Sequence, residues 1–329
     1  MGRTANVSIK DVAARAGVSI ASVSRVVNDG SGTVSENIRT KVLQAVRDLN
    51  YNPNRIGRAL RQKSTDTYAL VISNIQNNFY AAVAWEVERL LNDMGRAVLL
   101  FSTNENPTIQ DQCLDEIRSR QVAGIFMLCA VDSPGLRAIR SELEITFINR
   151  RIVSMPDVPF IGIDDFTASK ELMRKVLKTG VNDIGIIHGP LTSDTSARRL
   201  RGMKASLDDM GIEVPSHRMF EALLSMEGGY ASAQRLLDGE PPQVIICGTD
   251  QIAYGVYRRC RELALDVPNE VSVYGFDDNP LNEWLAPWLN TVRVPHLDLA
   301  RAAVDSVTRP DLPHTRKDQI LPYQIILRI

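Results

Sequence analysis

Between Tyr68 and Asp278 the sequence alternates short, almost wholly apolar runs with longer stretches of helical periodicity. "YALVIS", "AVLLFST", "AGIFMLC" and "ITFIN" read as strands, separated by helices predicted near 79–94, 108–120 and 134–141. After "FIGIDD" the alternation restarts with "IGIIHG", "VIICG" and "VSVYGFDD", with helices predicted near 166–179, 194–210, 227–238 and 250–265. Continuous apolar runs belong to parallel strands covered on both faces, and strand–helix alternation is the pattern of an α/β fold. The break near 150–165 predicts two sheets, hence two lobes. Ligands in such folds lie beyond the carboxyl ends of the strands.

Those ends offer Asn77 and Phe79, Asn149 and Arg150, Thr249 and Asp250, and Asp277 and Asp278, with Arg199 early in the helix after "IIHG". Neutral amides and hydroxyls accompanied by one or two charges suit a polyhydroxyl ligand, because each side chain bridges paired hydroxyls. Phe79, Trp284 and Trp288 are candidates for the apolar face on which a sugar ring lies. The tryptophans read equally well as core or interface packing, and Asp277 and Arg199 as an internal pair or exposed charges.

The net charge of -1 hides an asymmetry. Residues 1–63 hold 11 Lys/Arg against 4 Asp/Glu, while the remainder holds 27 against 35. A basic head on an acidic body points to a polyanion partner for the head alone. In that head Ser8, with Asp11 three residues on, caps a first predicted helix whose inner stripe is Val12, Ala13 and Ala16. Gly17 supplies a turn, and Ser19 caps a second helix with Val23 and Val26 or Val27 inward. Ser35 starts a third, with Ile38, Val42, Ala45, Val46 and Leu49 on one face. Two short helices about a tight turn, braced by a third, form a helix-turn-helix. Ile20, Ala21, Ser22 and Arg25 then point outward at the positions that reach base edges in a major groove. A plain three-helix bundle with a solvated face has the same pattern.

"NPNRIGRALRQ" follows, with Asn54 as an N-cap after Pro53 and a helix of about seven residues, a length marginal on its own. Gly57 weakens it by about another 1 kcal/mol relative to Ala. Arg55, Arg58 and Arg61 are cationic, and Ile56, Ala59 and Leu60 are apolar. A segment that winds only against a phosphate backbone has this composition; so does a linker that tucks Leu60 into its own core.

"SIKDVAARAGVSIASVSRVVN" and "VSENIRTKVLQAVRDLNYNPNRIGRALR" together resemble the lactose-repressor (LacI/GalR) family of bacterial transcription regulators. "FINRR", "TSARRLRGMKASL", "CGTDQIAYG" and "VSVYGFDDNPL" resemble the family's effector domain, a fold shared with periplasmic sugar-binding proteins. The resemblance implies that Ile20, Ala21 and Arg25 read an operator and that Ser8, Ser19, Ser22, Asn28 and Ser35 touch phosphates. It implies that the hinge helices of two subunits pair and that both copies of Leu60 wedge into the central step. It also implies that Asn149, Arg150, Arg199, Thr249 and Asp277 hold an effector between the lobes. The loop from Asn28 to Val34 is one residue longer than the family's usual spacing, Gly57 replaces a common Ala, and "GTD" stands where the family has "AND".

The fold expected is therefore α plus α/β. Residues 1–52 form a helix-turn-helix headpiece, 53–63 a hinge helix, and 64–329 a two-lobed periplasmic-binding-protein-like effector core. Its N-lobe spans about 66–163 plus 294–321, and its C-lobe about 164–292 plus 322–329. The function expected is a repressor on pseudo-palindromic double-stranded operator DNA, switched by a mono- or disaccharide-like effector with Asn77, Phe79 and Trp284 among its contacts. A homodimer is expected, because no long leucine-repeat tail matches. Cys113, Cys129, Cys247 and Cys260 read as buried free thiols, and the four scattered histidines suggest no metal site. No cofactor and no catalysis are indicated: nucleotide-loop and nucleophile-elbow motifs are missing from the sequence. Apolar runs fall short of the roughly 20 residues of a membrane span. With no secretory layout at the N-terminus, a cytoplasmic protein is expected, nucleoid-associated when on its operator.

Overall fold

Ser8 starts the first helix, α1 (Ile9–Ala16), by accepting from the Asp11 N–H at 3.4 Å while Asp11 accepts from the Ser8 N–H at 2.8 Å. This reciprocal cap satisfies donors that the first turn leaves open. The bonds from the Ser8 hydroxyl and then its N–H hold the Asp11 carboxyl below the usual carboxylate range. Gly17 ends α1 at φ 65°, the left-handed conformation that glycine adopts without strain. The Ser19 hydroxyl accepts from the Ser22 N–H at 3.1 Å and opens α2 (Ile20–Val27); Ser35 precedes α3 (Glu36–Asp48) without a side-chain cap. Val12, Val23 and Val42, all fully buried, centre a small core shared by the three helices. An Arg15–Asp48 ion pair at 2.8 Å ties α1 to the end of α3.

The computed structural model describes residues 7–27, 34–51, 65–309 and 317–328. Asn28, and the expected hinge 53–63 with Asn54, Arg55 and Leu60, lie outside the described residues. The chain divides into two units, Met1–Thr65 and Asp66–Ile329, and the second holds the α/β architecture.

That unit opens with β1 (Thr67–Ile72), α4 (Asn78–Asp93), β2 (Ala97–Ser102), α5 (Pro107–Ser119), β3 (Ile125–Leu128), α6 (Pro134–Ile139), β4 (Ile145–Ile148) and β5 (Phe160–Gly162). It continues with α7 (Asp165–Leu177), β6 (Ile184–His188), α8 (Asp194–Asp209), β7 (Met219–Glu221), α9 (Met226–Leu236), β8 (Val244–Cys247), α10 (Asp250–Glu262), β9 (Ser272–Tyr274) and the short α11 (Asn282–Leu285). Four elements follow: β10 (Thr291–Arg293), α12 (His296–Thr308), β11 (Gln319–Ile320) and β12 (Gln324–Ile326).

One sheet runs β11-β5-β4-β3-β1-β2 and another β7-β6-β8-β9, every pairing parallel. Every residue of β3, β4, β6 and β8 is buried, which is why these strands read as continuous apolar runs. β2, at an edge, is half-exposed. The antiparallel pair β10–β12 departs from the all-parallel expectation; together with β7, it consists of runs of three residues, too short to carry a period. The chain passes between the sheets after β5, between β10 and α12, and between β11 and β12.

A single apolar cluster runs from Tyr68 and Phe126 through Leu172 of α7 to Ile186 and Val244, so both sheets share it. Separate clusters cover their outer faces. Phe126 is fully buried there, and Phe126→Ala would cost about 3–5 kcal/mol. Gly202 lets α8 lie against α7: a Cβ would collide with the Phe166 carbonyl and the Ser169 hydroxyl. That close approach brings Arg199 on α8 beside Asp165 at the start of α7.

Candidate functional site

In the head, the buried valines of α2 fix which face is left over. Ile20 is 45% exposed, Ala21 and Arg25 are exposed, and Ser22 is half-buried beside Ser19, whose hydroxyl meets its own at 2.9 Å. Ser8 and Ser35 are exposed at the starts of α1 and α3, so the expected surface residues that are described all face solvent or its margin. Their chemistry is uneven. Ile20 and Ala21 offer only apolar contact, and Arg25 a planar pair of donors matching guanine O6 and N7.

In the body, a cleft of about 350 Å³ opens at the carboxyl ends of the strands, with walls from both lobes. Ser73, Asn77, Tyr80, Asn104 and Glu105 line one wall, and Pro190, Leu224, Ser225, Glu227 and Gln251 the other. Asn77 caps α4, its Oδ1 accepting from the Phe79 N–H at 3.0 Å. Thr249 caps α10 by accepting from the Ile252 N–H at 3.4 Å.

Arg199, 3% exposed, gives Nε to Asp165 at 2.8 Å and Nη1 to Asp277 at 3.2 Å and to the Gly248 carbonyl at 2.8 Å. Its guanidinium lies 3.6 Å from the centre of the Phe276 ring. Burial raises the Asp277 carboxyl to about 7; Arg199 opposes the rise, and Asp250 and Asp165 add to it. Arg150, also buried, is gripped by Glu105 of the cleft wall through both terminal nitrogens at 2.9 and 3.1 Å. Asn149 takes φ 63°, and its carbonyl accepts from the Thr195 hydroxyl at 3.1 Å, a bond that links β4's end to α8.

Several buried polar side-chain atoms of the body have no partner: Asn149 Oδ1, Arg150 Nε, Arg199 Nη2, Gln251 Nε2 and Ser193 Oγ, and of these residues Gln251 lines the cleft. Among the described residues only Arg259 Nε and Gln319 Nε2 share that condition elsewhere. Buried polar groups are almost always hydrogen-bonded, and an orphan costs about 1–3 kcal/mol.

The other strand-end residues carry structure instead. Asp250 accepts from the Asn279 N–H at 2.8 Å, the Asn282 amide at 2.7 Å and the Thr291 hydroxyl at 2.7 Å. Asp278 holds Arg293 and Arg328, each at 2.6 Å.

Of the expected contacts Asn77 lines the cleft, whereas Asn149, Arg150, Arg199, Thr249 and Asp277 are not among its lining residues, and neither are Phe79 and Trp284. Phe79 is 1% exposed inside the core, because the first turn of α4 sends it inward and its neighbour Tyr80 to the cleft. Trp284 stands 78% exposed on α11, away from the lining residues, and Trp288 stacks on Tyr257 at 4.0 Å. Tyr80, Glu105, Ser193 and Gln251 were absent from the sequence reading. Glu105 follows β2 and Gln251 follows Thr249, so the strand-end rule was signal enough to find both.

Residues 65–322 match the family model described as periplasmic binding proteins and sugar binding domain of LacI family, and residues 8–54 the one for bacterial regulatory proteins, lacI family. Catabolite control protein A of Priestia megaterium is 30% identical over 328 residues, 98% of each chain. The ribose operon repressor of Escherichia coli K12 is 30% identical over 320 residues, 94% of this chain and 96% of its own. The lac repressor dimer bound to operator and the anti-inducer ONPF superposes with a TM-score of 0.85 at 24% identity over 98% of both chains. The transcriptional regulator CelR in complex with cellobiose gives 0.70 at 25% identity over 98% of both.

Proposed function

This chain belongs to the LacI family of bacterial regulatory proteins, and on that premise we propose how it works: as a homodimer on a pseudo-palindromic operator, released or retained according to a sugar bound between its lobes. It is a DNA-binding transcriptional repressor with an effector-binding domain, not an enzyme. Among the described residues no helix is long and apolar enough to cross a membrane. In our reading Ile20, Ala21 and Arg25 read bases, while Ser8, Ser19, Ser22, Asn28, Ser35, Asn54 and Arg55 meet the backbone and Leu60 wedges a central step. The repressor then resides in the cytoplasm, on the nucleoid when bound. The lobes meet where the chain crosses between sheets, near 163–164, 293–294 and 321–322.

The observation that carries the effector reading is the cleft's polar lining, with buried Gln251 Nε2 left without a partner and Arg150, whose Nε also lacks one, bound to Glu105 of the cleft wall. Serine, amide and carboxylate side chains lining a cavity of about 350 Å³ suit a mono- or disaccharide, whose hydroxyls both give and take hydrogen bonds. Asn77, Thr249 and Asp277 complete the frame. To act as a switch the sugar must favour one lobe arrangement over another by differential affinity. We assign the relay of that difference to 53–63, the stretch that joins head and body in sequence and lies outside the described residues.

Operator affinity of the purified protein, measured across a salt series with and without a panel of neutral sugars, tests both halves. A steep fall of affinity with salt and a several-fold shift with one sugar are expected. A flat salt profile removes the DNA reading.

A further inference from the structure

Resting on the sugar-cleft reading, we propose that Glu105 determines specificity: by occupying Arg150 it reserves the cleft for uncharged polyols and excludes phosphorylated or carboxylated ones.

Arginine is the side chain best suited to a phosphate or carboxylate, because its terminal nitrogens form a planar fork. Arg150 presents that fork to Glu105, at 2.9 and 3.1 Å, and only Nε is left without a partner. Glu105 is held for this purpose. The Ser73 hydroxyl donates to its Oε1 at 3.2 Å, and the turn that carries it is pinned by the Asn104 N–H to the Ser73 carbonyl at 2.7 Å. Asn104 and Glu105 both take left-handed φ, 49° and 57°, a conformation that non-glycine residues rarely adopt.

The second arginine is closed to anions in the same manner. Arg199 has Asp165 and Asp277 as partners, and one terminal nitrogen left over. Of the residues that line the cleft, the charged ones are Glu105 and Glu227, and the rest are neutral. An anion entering there would shed its water beside carboxylates and find no unpaired cation.

The orphans specify the alternative. Arg150 Nε, Arg199 Nη2 and Gln251 Nε2 each need an acceptor, and Asn149 Oδ1 needs a donor. A hydroxyl is both, whereas a phosphate dianion has no proton to give.

The test uses purified full-length protein and matched pairs: glucose with glucose 6-phosphate, ribose with ribose 5-phosphate, cellobiose with its phosphate. Calorimetry should find a neutral member binding at least about tenfold more tightly than its ester. An ester that outbinds its parent overturns the proposal and leaves the sugar cleft standing; a panel with no binding at all removes the sugar reading beneath it. A second arm uses inorganic phosphate. Glu105→Gln should gain a saturable rise in melting temperature with phosphate at constant ionic strength, absent from the wild type and from Glu105→Gln/Arg150→Met. A Glu105→Gln variant that melts at the same temperature with and without phosphate overturns the assignment to Glu105. Should that variant fail to fold, the wild-type panel decides alone.

Discussion

Arg25 in the head and Arg150 and Arg199 in the body are the cations of the two proposed sites, yet they are kept in opposite ways. Arg25 stands exposed on α2, whereas Arg150 is 4% and Arg199 3% exposed, each with its own carboxylates. The partner explains the contrast. A nucleic acid brings negative charge with it, so a cation awaiting it can rest in water at little cost. A neutral sugar brings none, so an arginine sunk in the protein must be neutralised by the chain before the ligand arrives. An arginine left exposed and one already paired thus point to different ligands.

Removing a buried cation should have the largest effect. Arg199→Met strands Asp165 and Asp277 and should lower stability by about 3–5 kcal/mol in denaturant titration at neutral pH. A loss below about 1 kcal/mol would mean the carboxylates do not depend on it. Arg25→Ala should leave the melting temperature unchanged while reducing discrimination at one base per operator half-site by about 1–3 kcal/mol, read by competition with base-substituted duplexes. Uniform weakening on every duplex would turn Arg25 into a phosphate contact.

A smaller effect separates the two carboxylates on Arg199. The Asp277 carboxyl is raised from 3.8 to about 7, mainly by burial. Its contribution to stability is therefore full below about pH 4 and is lost as pH climbs to about 7. Melting curves of wild type and Asp277→Asn should diverge across that window, the wild type losing stability relative to the variant as pH rises. Parallel curves would mean that Asp277 is ionised throughout. The smallest expected change is Ser8→Ala, about 1 kcal/mol of head stability through the loss of the α1 cap, followed by the helical signal of a 1–51 fragment.

The head was readable because its signals are local. Ser8 with Asp11, and Gly17 after Ala16, sit within one turn of the helix end they define. In the body, Asn77 was legible as a cleft residue because parallel topology fixes where strands end. Pairs distant in sequence were not readable: Glu105 and Arg150 lie 45 residues apart, Arg199 and Asp277 78. Nor was the phase of α4's first turn, where one position's rotation puts Phe79 in the core and Tyr80 at the cleft. Trp284 was read for its ring alone, but it stands 78% exposed on the short α11, whose buried position is Asn282.

Asn77 and Thr249 begin α4 and α10 with their side-chain oxygens, and Asn77 also lines the cleft. A lineage drifting toward another sugar would find those positions hard to change, since each replacement must also start a helix. Leu224 and Gln251 line the same cavity without capping any helix. New tastes should accumulate there first, on a frame whose corners stay fixed.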